Sequence, residues 1–190
     1  MTHIALVLLA AGRGSRFGGG KLSAPLQGRP LVIHAAQTLA RLPCPAGRFA
    51  VTAPDTPPLT ALGFEPVMLD PPGAPMSRSL ALGIACAAQA GADAVMIALG
   101  DMPLVPADHL RALLGHFDGD RIATRIAGHH QPPAIFGAHH FPDLMTLSGD
   151  RGAGALLRDA PALALAGDGG LDVDTHSDLV RAAGAFSAEG

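Results

Sequence analysis

Ile4-Ala5-Leu6-Val7-Leu8-Leu9 is followed without a break by Ala10-Ala11-Gly12-Arg13-Gly14-Ser15-Arg16-Phe17-Gly18-Gly19-Gly20-Lys21. The first stretch is an apolar run of strand length with no polar alternation, the pattern of a strand buried on both faces. The second is a loop dense in glycine, which accepts positive φ and has no Cβ to hold a ligand away. Amides that converge in such a loop favour an anion, and Arg16 and Lys21 add mobile positive charge around it. A polyphosphate fits this environment better than the alternative of a flexible linker or a plain strand-to-helix turn.

Spacing separates this loop from two familiar phosphate loops. A Walker A motif needs a glycine where Ser15 stands and Ser or Thr where Leu22 stands. A dinucleotide fingerprint starting at Gly12 finds Phe17 at its third glycine position, with Gly18 one residue late. Lys21 is the only lysine in the chain, every other strong cation being an arginine. A point charge on a flexible stem is therefore expected to be specifically required there.

Outward from the loop, apolar runs recur at Phe49 to Thr52, Pro66 to Leu69 and Ala94 to Leu99. Helical periodicity fills the gaps at Leu31 to Leu42, briefly at Leu59 to Leu62, at Ser79 to Ala90, and at Leu110 to Phe117 after Pro106. This alternation predicts an α/β protein: a three-layer α/β/α domain on a mostly parallel sheet, with ligands at the carboxyl ends of the strands. The last third reads as a strand at Ala134 to Phe136, helical stretches near Leu144 and from Gly152 to Arg158, and a final helix from Ser177 to Phe186. No repeat or linker divides residues 1–190, so a single domain is expected.

Composition narrows the function. Nearly half the residues are apolar although Trp and Tyr are absent, which suits an ordinary globule. A formal charge of -3 with scattered arginines offers no stripe for a nucleic-acid backbone. No run approaches the roughly 20 apolar residues of a membrane-spanning helix, so no membrane partner is expected. Cys44 and Cys86 lack metal or redox spacing, and the amino terminus lacks a signal-peptide pattern, which points to the cytoplasm.

Two acidic segments are candidates for metal chemistry. Gly100-Asp101-Met102-Pro103 places a carboxylate at the end of a central strand, where it could hold Mg²⁺ or simply brace a turn. Asp172-Val173-Asp174-Thr175-His176-Ser177-Asp178-Leu179 leads into the last helix, and Thr175 or Ser177 could cap it. The pairs His129-His130 and His139-His140 match no helical metal spacing and have no cysteine nearby; they read as solvated loop residues near an acceptor.

Taken together, these blocks resemble the MobA-like nucleotidyltransferases, which attach CMP or GMP to molybdopterin. Leu9-Ala10-Ala11-Gly12 through Arg16-Phe17-Gly18 to Lys21 is similar to the family's triphosphate loop. Ser77-Arg78-Ser79-Leu80-Ala81-Leu82-Gly83 is similar to its segment near the base, and Gly100-Asp101-Met102-Pro103 to its metal-binding segment. Gly149-Asp150-Arg151-Gly152-Ala153 and Asp172-Val173-Asp174-Thr175 follow in family order.

The resemblance implies a Rossmann-like nucleotide-diphospho-sugar transferase fold and a nucleotide site of Leu9, Ala10, Ala11, Gly12, Arg13, Gly14, Arg16, Lys21, Ser79, Leu80 and Gly100. It also implies Mg²⁺ on Asp101 and Asp174, with Arg16, Lys21 and Asp101 in catalytic roles. Ala11, where guanine-nucleotide users tend to carry Gly, favours CTP over GTP. The implied acceptor is of the molybdopterin type, and a molybdenum hydroxylase apo-enzyme is a possible recipient. The pattern departs at Gln131, where relatives usually place Gly, and at Gly154, a frequent Arg. Two readings of other classes compete: an NAD(P)-dependent oxidoreductase, which Phe17 and the weak Ala53-Pro54-Asp55 ribose candidate disfavour, and a carrier that delivers finished cofactor.

Overall fold

A computed structural model describes residues 2–12, 14–149 and 152–188, with side chains to Phe186. The opening run forms strand β1 (Ile4–Ala10). After the glycine loop come a two-residue hairpin, β2 (Pro25–Leu26) and β3 (Arg29–Pro30), and helix α1 (Leu31–Ala40). The chain continues through β4 (Arg48–Thr52), β5 (Glu65–Met68), α2 (Met76–Gln89), β6 (Ala94–Leu99) and α3 (Ala107–His116). Its last third holds β7 (Arg121–Ile126), β8 (His129–Gly137), α4 (Phe141–Thr146), β9 (Ala162–Ala164) and α5 (His176–Ala188).

Seven strands form one sheet in the order β5-β4-β1-β6-β8-β7-β9. β5, β4, β1 and β6 are mutually parallel, β8 runs antiparallel to both β6 and β7, and β9 is parallel to β7. The sheet is thus mostly parallel, as the alternation predicts.

Pleating explains why β1 is apolar throughout. Successive side chains point to opposite faces, so Ile4, Leu6, Leu8 and Ala10 enter one core with α1, α3 and α5. Ala5 and Val7 enter a second core with α2 and α4. Leu6, Val7 and Leu8 are wholly buried, and full burial of an aliphatic side chain of this size is worth about 1.5–3 kcal/mol. Helix α2 lies so close to the sheet that a Cβ on Gly83 would fall 2.3 Å from Val7 Cγ1 and 3.3 Å from Val51 Cγ2.

Several expectations shift. Helix α2 starts one turn before Ser79, with Pro75 as its cap. Gly152 to Arg158 yields only a 3₁₀ segment, Ala153–Leu157, rather than a longer helix. Strands β7 and β9, and the first half of β8, are additional to the sequence reading. No helix among the described residues is long and apolar enough to cross a membrane.

Candidate functional site

The carboxyl ends of β1 and β6 open into a cleft of about 620 Å³, lined on one side by Leu9, Ala11, Gly12, Gly14, Arg16 and Lys21. Asp101, Asp172 and Asp174 also line it, as do Gly73 to Met76 with Ser79, which form a further rim. This is the position that parallel-sheet topology reserves for ligands.

The glycine loop folds partly onto itself. Gly14 O accepts hydrogen bonds from Phe17 N at 2.9 Å and Gly19 N at 3.2 Å. Those two amides are therefore engaged within the loop itself. Gly14 sits at φ +54°, and a Cβ there would lie 2.8 Å from Lys21 Cβ. Glycine is needed at this point so that the loop can close against the lysine stem.

Lys21 is buried, with only 6% of its side chain exposed. Its Nζ donates to Asp101 Oδ2 at 2.7 Å and to Asp174 Oδ1 at 3.1 Å, while Arg16 donates to Asp174 Oδ2 at 2.8 Å. Burial alone would lower the Lys21 pKa, but Asp101, with help from Asp174 and Asp172, holds it above the ordinary lysine value. The ammonium is thus locked in its charged form.

Asp101 follows β6 through Gly100, whose amide donates to Leu9 O at 2.9 Å. Gly100 is confined by Val32, Ala10 and Leu9, each within 3.1–3.3 Å of where a Cβ would be. The acidic segment is pinned to the same spot, because Val173 N donates to Asp101 O at 3.0 Å. Val173 is fully buried, and in an extended segment the residues on either side of it face the opposite way. Asp172 and Asp174 consequently flank the cleft together. One carboxylate oxygen from each of Asp101, Asp172 and Asp174 lies within 4.8 Å of the others.

That convergence has an electrostatic signature. Asp172 is exposed as a residue, yet protein atoms crowd its carboxyl end. Loss of hydration there, with Asp101 alongside, pushes its pKa up to about 7. Asp101 Oδ1 is buried and has no hydrogen-bond partner among the described residues. Buried carboxylate oxygens are seldom left unpaired, and hard oxygen ligands in a group of three suit a divalent cation such as Mg²⁺.

Downstream, Thr175 and Asp178 cap α5 reciprocally. Thr175 N donates to Asp178 Oδ2 at 2.8 Å, and Asp178 N donates to Thr175 Oγ1 at 3.2 Å. Thr175 rather than Ser177 therefore serves as the capping hydroxyl, and Asp178 acts in the cap and not in the acidic cluster. The Phe17 ring stacks on His176 at 4.1 Å, joining the glycine loop to this helix start.

Leu9, Ala11, Gly12, Gly14, Arg16, Lys21, Ser79, Asp101 and Asp174 all reach the cleft. Leu80 does not: it is wholly buried in the core beneath α2, so its contribution is to seat the helix that presents Ser79. The Ala10 side chain is also buried, and its carbonyl accepts the Thr56 hydroxyl at 2.7 Å. Arg13, Asp150 and Arg151 lie outside the described residues. Asp172, left out of the predicted ligand pair, was detectable from the Asp-Val-Asp alternation; the Gly73 to Met76 rim carried no such signal.

The histidine pairs part company. His130 and Gln131 lie on the part of β8 that extends beyond β6 toward the cleft, since Ala134 already pairs with Ile97. His139 and His140 follow the other end of β8, where Gly137 pairs with Ala94 at the start of β6. They are therefore at the opposite end of the sheet, and His140 is buried, contrary to a solvated loop near the acceptor.

Comparison with known proteins agrees with this architecture. The MobA-like NTP transferase domain matches residues 6–166. The purine catabolism protein PucB of Bacillus subtilis is 32% identical over 93% of this chain and 95% of its own. A molybdenum cofactor guanylyltransferase of Cereibacter sphaeroides is 41% identical, but over 54% of this chain and only 52% of its own length. Among solved structures, a nucleotidyl transferase from Methanothermobacter superposes with a TM-score of 0.81 at 22% identity, covering 99% of both chains. With its glycine loop and acidic cluster at the carboxyl ends of β1 and β6, the chain belongs to the MobA-like NTP transferase family and is a nucleotidyltransferase.

Proposed function

We propose that the cleft binds a nucleoside triphosphate with Mg²⁺ and transfers its nucleoside monophosphate to a phosphate-bearing acceptor of the molybdopterin type, releasing pyrophosphate. The observation that carries this reading is the meeting of Asp101, Asp172 and Asp174 with Lys21 and Arg16 at the mouth of the glycine loop.

Asp101 and Asp174 would hold Mg²⁺, with Asp172 as a third oxygen donor close by. The bound cation supplies charge neutralisation on the phosphate oxygens. Leu9, Ala11, Gly12 and Gly14 form the wall for the nucleotide, and Arg16 and Lys21 provide positive charge for its phosphates. An acceptor phosphate is already ionised at neutral pH, so the residues need only position two anions and balance their charge. No protein nucleophile or general base is required. A finished cofactor could then pass to a molybdenum hydroxylase apo-enzyme.

Ala11 on the nucleotide wall supports CTP, by the family resemblance. The guanylyltransferase name of one relative supports GTP as the second reading. The deciding experiment is pyrophosphate release with Mg²⁺ and each of CTP, GTP, ATP and UTP, with and without molybdenum-loaded molybdopterin. Acceptor-dependent release with CTP alone supports the full proposal, release with GTP replaces the base, and failure to bind any triphosphate by calorimetry defeats it.

A further inference from the structure

We propose that Asp120, His139 and His140, at the end of the sheet remote from the nucleotide cleft, form a transition-metal site suited to Zn²⁺. Both imidazoles aim Nε2 at one oxygen: His140 Nε2 lies 2.6 Å and His139 Nε2 3.0 Å from Asp120 Oδ1. The three potential ligand atoms lie within 4.8 Å of one another. Two imidazole nitrogens and a carboxylate oxygen are a recurrent three-ligand set for zinc, with water in the remaining position. Ligand atoms around a tetrahedral zinc stand about 3.4 Å apart, so the two contacts need to open by less than about 1 Å to admit the ion.

The surroundings are built to hold these groups. His140 is buried and meets the Phe136 ring edge-on, with centroids 5.9 Å apart and planes at 79°. The His139 ring packs against His140 at 4.1 Å. A Cβ on Gly137 would lie 2.9 Å from His139 Cε1 and 3.0 Å from its Nδ1, so the glycine makes room for this imidazole. The same Cβ would lie 2.2 Å from Gly119 O, which leaves the chain before Asp120 free to close on the end of β8. Gly137 N donates to Asp120 O at 2.7 Å, fixing the carboxylate-bearing residue to the strand that delivers both histidines.

His140 is thus a fixed inner ligand, while Asp120 and His139 are more than half exposed and face solvent from which an ion and its water can arrive. A metal here would clip the entry of β7 to the exit of β8, the pair that completes the antiparallel half of the sheet. Its role is stabilising, and the donor set favours zinc and related borderline ions over Mg²⁺.

The test is a Zn²⁺ titration of metal-stripped protein against a chelating indicator, with Mg²⁺ in large excess to occupy the remote carboxylates. Thermal unfolding and ¹⁵N imidazole spectra are recorded on the same samples. The expected result is one Zn²⁺ per chain, a zinc-dependent rise in Tm, and shifts of the His139 and His140 Nε2 resonances. Affinity should fall at least tenfold in Asp120→Asn and in His139→Ala. His139 is exposed, so His139→Ala should fold even if a change at His140 does not. Absence of zinc binding, or equal affinity in wild type and His139→Ala, would overturn the proposal. Loss of transferase activity plays no part in this readout, so the outcome is independent of the proposed reaction.

Discussion

The Phe17 ring lies nearly flat on the His176 imidazole, with centroids 4.1 Å apart and planes inclined by 17°. The contact connects the glycine loop, early in the chain, to the start of α5, late in it. Phe17 is also the residue that spoils the dinucleotide fingerprint, and the structure shows what it does instead. It clamps the loop carrying Arg16 and Lys21 over the segment carrying Asp172 and Asp174. Phe17 is buried, so Phe17→Ala should cost about 3 kcal/mol of stability. His176 is exposed, so His176→Ala should cost under about 1.5 kcal/mol. The second variant should still raise KM for the triphosphate several-fold, because the two halves of the cleft lose their registration. Unchanged KM in a folded His176→Ala protein would show that the stack is structural only.

Lys21 and Asp101 should be the most sensitive positions for turnover. By comparison with the loss of a single electrostatic stabiliser elsewhere, Lys21→Ala or Asp101→Asn should reduce kcat by a factor on the order of 10² to 10³. Lys21→Arg tests geometry rather than charge. Its Nζ bridges two carboxylates from a buried stem pressed against Gly14, and a planar guanidinium cannot reproduce that compact contact. The expectation is at least a tenfold loss of kcat in pyrophosphate-release kinetics, with near-normal turnover removing Lys21 geometry from the reaction.

The parallel half of the sheet was legible because β1 and β6 are continuous apolar runs that must be buried on both faces. The glycine loop and Asp101 were legible for the same reason, as they directly follow those strands. The antiparallel half was not. Strand β7 carries Arg121 and Arg125, and it buries Thr124 through bonds to Pro133 O at 2.6 Å and to His109 Nε2 at 2.9 Å. Those partners are invisible in a local pattern. The start of β8 contains Pro132-Pro133, which reads as loop; the register shift between Ala123 and Thr124 accommodates them as a bulge. Three residues, Ala162–Ala164, are too few to announce β9. In the site, Asp172 joins Asp101 only because Val173 docks on the Asp101 carbonyl, a contact between distant parts of the chain.

Gly83 offers a test of packing in a segment whose sequence resemblance suggests only a nucleotide role. Gly83→Ala would ordinarily favour an α-helix by about 1 kcal/mol. Here the new methyl would meet Val7 Cγ1 at 2.3 Å, and β1 cannot retreat because it is an interior strand held between β4 and β6. Overpacking of this kind costs about 1–3 kcal/mol. Denaturant unfolding should show net destabilisation in Gly83→Ala, partly relieved when Val7→Ala is added. A more stable single variant would mean that α2 can lift from the sheet without penalty.

His109 links acid stability to the hidden half of the sheet. Its imidazole is half-buried, and that burial lowers its pKa below the ordinary histidine value of 6.5. The Thr124 hydroxyl donates to Pro133 O, so it accepts from His109, and Nε2 must carry a proton. Nδ1 is then the atom that would gain the extra proton on acidification. Between the lowered folded pKa and 6.5, the unfolded chain binds more protons than the folded one. Stability from this group is therefore fully present above pH 6.5 and is lost as pH falls through the window below it. His109→Gln keeps an N–H donor toward Thr124 but cannot titrate. Its stability should fall less steeply than wild type as pH drops below 6.5, measured by denaturant midpoints on both proteins, since the other histidines contribute equally to each curve. Parallel curves would show that His109 remains as easily protonated in the folded protein as in the unfolded chain.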